Sequence, residues 1–309
     1  MPFRWNIAQR SELGGLLAAP SKFGTGQSAN YEGIWEELLA CAARTVALAG
    51  DADLVFVGRG PESLFDLLSG LTKDTAWHNQ RRLTLLRFSL GYTETDIARR
   101  KHPASLGAFR IYMDTLGLSP ARLIVRERPI ALVDLICNGD TMGVLLPLIR
   151  DWVIEEGADW QAVRRKLRVV GITDRHDSEP PRPYWRQKRD TARGCIRTRI
   201  DWQENALWIK DCLDPGTLRE LAISSRLWDF IGNCQIKSTP SYPPELWGEA
   251  EAARPSHEDY YMAGLKAARR IYEAGCSKET RQQFTVLLAA DSVAMRSLHC
   301  RKLVQEIRK

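Results

Sequence analysis

Four short apolar runs recur along the first 175 residues: ADLVFVG (residues 52–58), RLTLLRFSL (82–90), PIALVDLI (129–136) and LRVVGIT (167–173). Each is too short for an ordinary core helix and ends at glycine or polar residues, as a strand buried on both faces does. The segments around them space their apolar residues at helical intervals: YEGIWEELLACAARTVA (31–47), SLFDLLSGL (63–71) and MGVLLPLIRDWVIEEG (142–157). Apolar strands alternating with helices predict an α/β fold, a parallel sheet covered by helices on both faces. Ligands of such sheets bind beyond the carboxyl ends of the strands.

A chain of 309 residues suits one α/β unit with a sizeable appendage. The change of character after Asp174 sets the expected division: residues 1–175 form the α/β core with an N-terminal helix, and residues 176–309 an accessory or hood region. The accessory part opens Pro-rich and basic (RHDSEPPRPYWRQKRD). It continues aromatic in LWDFIGNCQIKSTPSYPPELWG (227–248) and ends in two or three helices from His257, punctuated by Gly264, Gly275 and a start at Ser277. The aromatic stretch reads first as core packing, and second as a hood over a ligand.

No apolar run reaches the roughly 18 residues of a membrane span, and MPFRWNIAQR has no signal-peptide stretch, so a cytoplasmic protein without membrane contact is expected. Seven cysteines form no C-x-x-C pair and no metal-ligand spacing with the five histidines, so neither zinc nor a disulfide framework is supported. The net charge of +6 comes from local groups such as RRKH (99–102) and the stretch 184–199. No nucleic-acid-binding motif accompanies them, so anionic small molecules are favoured over DNA or RNA.

The third run carries the chemistry. It turns acidic at Asp134 and opens onto Asn138, Gly139, Asp140 and Thr141 before the helix at Met142. A carboxylate at a strand end, a glycine-containing turn and a helix N-terminus with outward N–H groups make an anion cradle. A phosphorylated sugar fits it, with phosphate on the turn and hydroxyls on the carboxylate.

These residues resemble the signature of the type I phosphoribosyltransferases: an apolar strand (Ile130 to Val133), an acidic residue (Asp134) and a [DTN]-x-G-x-T loop (Asn138-Gly139-Asp140-Thr141). Upstream, VFVGRGPES is similar to the glycine turn that holds pyrophosphate in that family, and the resemblance spans residues 54–173. It implies an Mg²⁺-dependent pentosyltransferase that moves ribose 5-phosphate from phosphoribosyl pyrophosphate (PRPP) to a small-molecule acceptor and releases pyrophosphate. By resemblance, Asn138, Gly139, Asp140, Thr141 and Met142 hold the 5-phosphate, Asp134 meets the ribose diol or its metal, and Arg59 and Gly60 hold pyrophosphate. Asp134 and Arg59 are the implied catalytic pair. The family's mobile loop falls in GYTETDIARRKHP, which offers Arg99, Arg100 and Lys101 as further pyrophosphate partners. A homodimer is common in the family.

The sequence departs from the family at two points. Val133 and Leu135 flank Asp134 where two adjacent acids are usual, and Cys137 replaces an aspartate that acts on purine bases in several members. A non-standard acceptor is therefore expected, as in specialised metabolism. The alternative is a non-catalytic regulatory protein that keeps the fold to bind PRPP or a nucleotide.

Overall fold

A computed structural model describes residues 7–8, 34–88, 103–136, 139–175, 211–234, 242–247 and 259–309. Five strands, β1 (Asp53–Val57), β2 (Leu83–Leu86), β3 (Ile130–Leu135), β4 (Leu167–Asp174) and β5 (Leu218–Ile223), form one all-parallel sheet in the order β2-β1-β3-β4-β5. The described helices are α1 (Trp35–Ala49), α2 (Glu62–Leu71), α3 (Ala76–Asn79), α4 (Pro103–Thr115), α5 (Pro120–Val125), α6 (Asp140–Glu155), α7 (Trp160–Arg164), α8 (Ser225–Asp229), α9 (Asp259–Cys276), α10 (Lys278–Ala290) and α11 (Leu298–Ile307).

Side-chain alternation divides each central strand between two cores. Leu54 and Phe56 of β1 and Ala131 and Val133 of β3 face α1, α2, α10 and α11, whereas Val55, Val57, Ile130 and Leu132 face α4 to α7. All five residues of β1 are buried, which is why its sequence is an unbroken apolar run after Asp53. The helix after β1 thus lies on one face and the helix after β3 on the other.

The sheet does not end at the division expected at residue 175. β5 comes from residues 218–223 and pairs with β4 from Val169↔Leu218 to Asp174↔Ile223. Its sequence LRELAI hides it: an edge strand needs one buried face, supplied by Leu221 and Ile223, and leaves Arg219 exposed. Three helices of the expected accessory region, α9 to α11, complete the wall over α1 and α2. Ser277 caps α10, its Oγ accepting from the Thr280 N–H at 3.2 Å.

Gly264 and Gly275 lie within α9 rather than between helices. Gly275 is there for close approach: a Cβ on it would meet Leu67 O at 2.6 Å, and one on Gly70 of α2 would meet Tyr272 O at 2.2 Å. The two glycines let α2 and α9 cross almost backbone to backbone.

In the aromatic stretch, Tyr242 and Trp247 are core residues. Trp247 stacks on Phe109 with ring centroids 4.2 Å apart and lies 5.7 Å from Phe88, and its indole N–H donates to Tyr242 O at 3.0 Å.

At the amino edge of the sheet, Asp53 accepts from Arg82 Nε at 2.9 Å, Arg128 Nε at 2.9 Å and Arg126 at 2.5 Å. Arg82 is 2% exposed and stacks on Trp77 at 4.2 Å. Burial lowers its pKa, and Asp53 acts against that shift. This network ties together the starts of β1 and β2 and the loop before β3.

Candidate functional site

The order β2-β1-β3-β4-β5 reverses direction between β1 and β3. The loops leaving these neighbours run to opposite faces, the arrangement that in open α/β sheets forms the ligand crevice at the carboxyl ends of the strands. Both sequence motifs lie there. The β1 loop supplies Gly58, Arg59 and Gly60, and β3 supplies Asp134 followed by Gly139 and the first turn of α6.

Gly139 is the residue that starts α6, with φ 81° and ψ 8°. That left-handed conformation costs little only for glycine. The first N–H to find a helical acceptor is that of Gly143, on Gly139 O at 2.8 Å. The N–H groups of Asp140, Thr141 and Met142 precede it and have no acceptor within the helix. They form the positive end of a helix of 16 residues. Met142 is fully buried among the core residues, so only its backbone can meet a phosphate. Thr141 is not the cap of the helix. Its hydroxyl faces Asp134, where it favours the ionised carboxylate.

Asp134 is 5% exposed. Burial pushes its carboxyl well above the usual carboxylate range, while the Leu135 N–H and the Thr141 hydroxyl act in the opposite direction. Oδ2 has no hydrogen-bond partner among the described residues. A buried carboxylate oxygen without a partner is costly to keep and can accept from an incoming hydroxyl or bind a cation.

Gly60 brings the β1 loop against this carboxylate. A Cβ at Gly60 would lie 3.4 Å from Leu135 Cβ and 3.7 Å from Asp134 Oδ1. Arg59, next to it, is half-exposed and its guanidinium has no ion-pair partner among the described residues. The structure therefore brings Gly60, Asp134 and Thr141 together at one crevice, with Arg59 and Gly139 on the loops that line it. Asn138, Arg99, Arg100 and Lys101 lie outside the described residues, as does the basic stretch 184–199. Of Asp140, only its place as the first residue of α6 is described.

Sequence reasoning missed several polar residues at the same edge. Arg87, just beyond β2, is 3% exposed, and its backbone N–H donates to Tyr112 Oη at 2.9 Å. Glu62, Ser63 and Asp66, at the start of α2, are each 1% exposed or less, and Ser63 Oγ has no partner among the described residues. Glu62, Asp66 and Gly70 share one helical face, and Gly70 on that face abuts α9. A sequence period marks such a face as polar and cannot show that another helix covers it.

Among the described residues no three His, Cys, Asp or Glu side chains gather to hold a metal. A divalent cation here would rest on Asp134 and on oxygens of its ligand, as Mg²⁺ commonly does with one or two carboxylates and substrate phosphates. Cys41, Cys212, Cys276 and Cys300 are free, and burial pushes the thiols of Cys41 and Cys212 up to about 12 and about 11. Inert core thiols behave this way. No described helix is long and apolar enough to cross a membrane.

Fold and site together define a class: a doubly wound α/β protein with a buried carboxyl and a helix N-terminus at its switch point. Comparison goes no further, since no family model, curated protein or solved structure matches the chain.

Proposed function

We propose that the chain is a phosphoribosyltransferase that moves ribose 5-phosphate from PRPP to a non-standard acceptor. One observation carries the reading: buried Asp134, one of whose carboxylate oxygens has no partner among the described residues, lies beside Thr141 of the first turn of α6 at the sheet's switch point. That pairing suits a ligand with hydroxyls beside a phosphate. The phosphate takes the N–H groups of Asp140, Thr141 and Met142, where the helix dipole adds roughly 0.3–1 kcal/mol. The ribose hydroxyls donate to Asp134 and supply the partner it lacks.

In the transfer, the bond from the anomeric carbon to pyrophosphate breaks and a bond to the acceptor's nucleophile forms, with loss of the acceptor's proton. Arg59 stabilises the departing charge, and Gly60 lets the chain approach it closely. Mg²⁺, bound with the donor, would neutralise the diphosphate. Asp134 and α6 hold the sugar in line, and positioning supplies the remaining catalysis.

The deciding experiment is calorimetric titration of PRPP with Mg²⁺ into the wild type, Asp134→Asn and Thr141→Ala. Losing a hydrogen bond to a charged group costs about 1.5–3 kcal/mol, so affinity falls roughly tenfold to a hundredfold in each variant. Unchanged affinity in both, with the fold intact, removes the assignment.

A second reading rests on the single acid. Val133 is buried in the core and Leu135 packs toward Gly60 and Gly232, so neither neighbour adds a carboxylate. With one buried acid, the site would bind PRPP or a nucleotide as a signal without turnover. Saturable binding with no pyrophosphate released across a panel of acceptors favours this reading.

A further inference from the structure

Beside the end of α2 that lies away from the crevice, the last turn of α9, α10 and the end of α11 line a half-open recess of about 770 Å³. Four cationic side chains line it, Lys278, Arg281, Arg308 and Lys309, together with Thr285, and no carboxylate side chain does. None of the four has an ion-pair partner among the described residues. The contrast with the amino-edge network is plain, because there Asp53 answers three guanidinium groups.

Two of the cations are held in place. Arg281 donates to the carbonyl oxygens of Gly70 at 3.1 Å and Lys73 at 2.8 Å, at the end of α2, and its buried Nε has no partner. Arg308 Nε donates to Thr285 Oγ1 at 3.4 Å, a weak contact that leaves the rest of its guanidinium unengaged. Lys278 is the first residue of α10, the positive end of a helix of 13 residues, where a cation is disfavoured. Glu36 and Glu279 belong to the neighbouring groove, across Gln282 and Val286.

Like charges gathered around one recess repel one another, and four cationic side chains with no carboxylate side chain in the lining suit an anion from outside. The volume is that of a small-molecule site, and Val286 and Ile307 give it an apolar wall. We infer that this cavity is a second ligand site, for a multiply phosphorylated small molecule such as a nucleoside triphosphate. Arg281 links the site to the end of α2, the helix whose other end adjoins the crevice.

The test is calorimetric titration of inorganic tripolyphosphate and of ATP, without Mg²⁺, into the full chain at near-physiological salt. The variants are Asp134→Asn and the double charge reversal Lys278→Glu, Lys309→Glu, whose side chains are exposed and whose folding is checked by the unfolding midpoint. The expected result is saturable binding of both probes to the wild type and to Asp134→Asn. The double variant loses at least tenfold in affinity. Equal binding of the double variant and the wild type overturns the inference. So does no saturable binding to the wild type, or binding lost in Asp134→Asn alone, which assigns the probes to the crevice instead. An equally tight interaction with inorganic sulfate overturns the assignment to multivalent phosphates.

Discussion

At the residue scale, Asp134 works against the fold it sits in. Its folded-state pKa lies above its ordinary value near 3.8, so the folded chain resists an ionisation that the unfolded chain accepts. The carboxyl therefore costs nothing below that ordinary value. Stability is lost as pH rises through the range between the unfolded and folded pKa values. Urea unfolding of the wild type and of Asp134→Asn should show the wild type losing ground relative to the variant as pH rises above about 4. Parallel stability curves for the two proteins would mean that Asp134 is charged and satisfied in the fold. A residue kept at such a cost is expected at a binding site, where a ligand would offset it.

At the element scale, the crossing of α2 and α9 depends on Gly70 and Gly275. Alanine is the better helix former by about 1 kcal/mol, yet at Gly275 its Cβ would sit 2.6 Å from a backbone oxygen. Backbone cannot step aside as a side chain can. Gly275→Ala is expected to destabilise the protein by roughly 1–3 kcal/mol in urea unfolding, and a gain in stability would show that the helices separate freely. The same contrast between local and distant causes decides what the sequence discloses. β1, β3 and β4 are legible because burial on both faces demands an unbroken apolar run, and Asp134 and Gly139 are legible because they interrupt one. β5 is not, since an edge strand tolerates Arg219 and Glu220. Nor is the role of Gly275, which follows from a neighbour two hundred residues away in the sequence, beyond the reach of any period. The buried polar face of α2 is hidden for the same reason, whereas the pairing of Gly60 with Asp134 could be anticipated from the order of the motifs.

At the scale of the whole molecule, the site-bearing strands and the late helices share one hydrophobic core. Phe56, Leu67 and Val133 belong to the same core as Phe284, Leu303 and Ile307. A fragment of residues 1–175 lacks β5 and α9 to α11, leaving one edge of β4 unpaired and the outer surfaces of α1 and α2 bare. It is expected to show no cooperative thermal transition and to be digested by protease under conditions that the full chain withstands. A cooperative, protease-resistant fragment would restore the division at residue 175. Chain order adds a consequence for how the protein is made. The ribosome delivers both loops of the crevice long before α9, α10 and α11, so the nascent chain carries a nearly complete site on a half-walled sheet. That apolar surface is open to chaperones, or to other nascent chains, until the closing helices emerge.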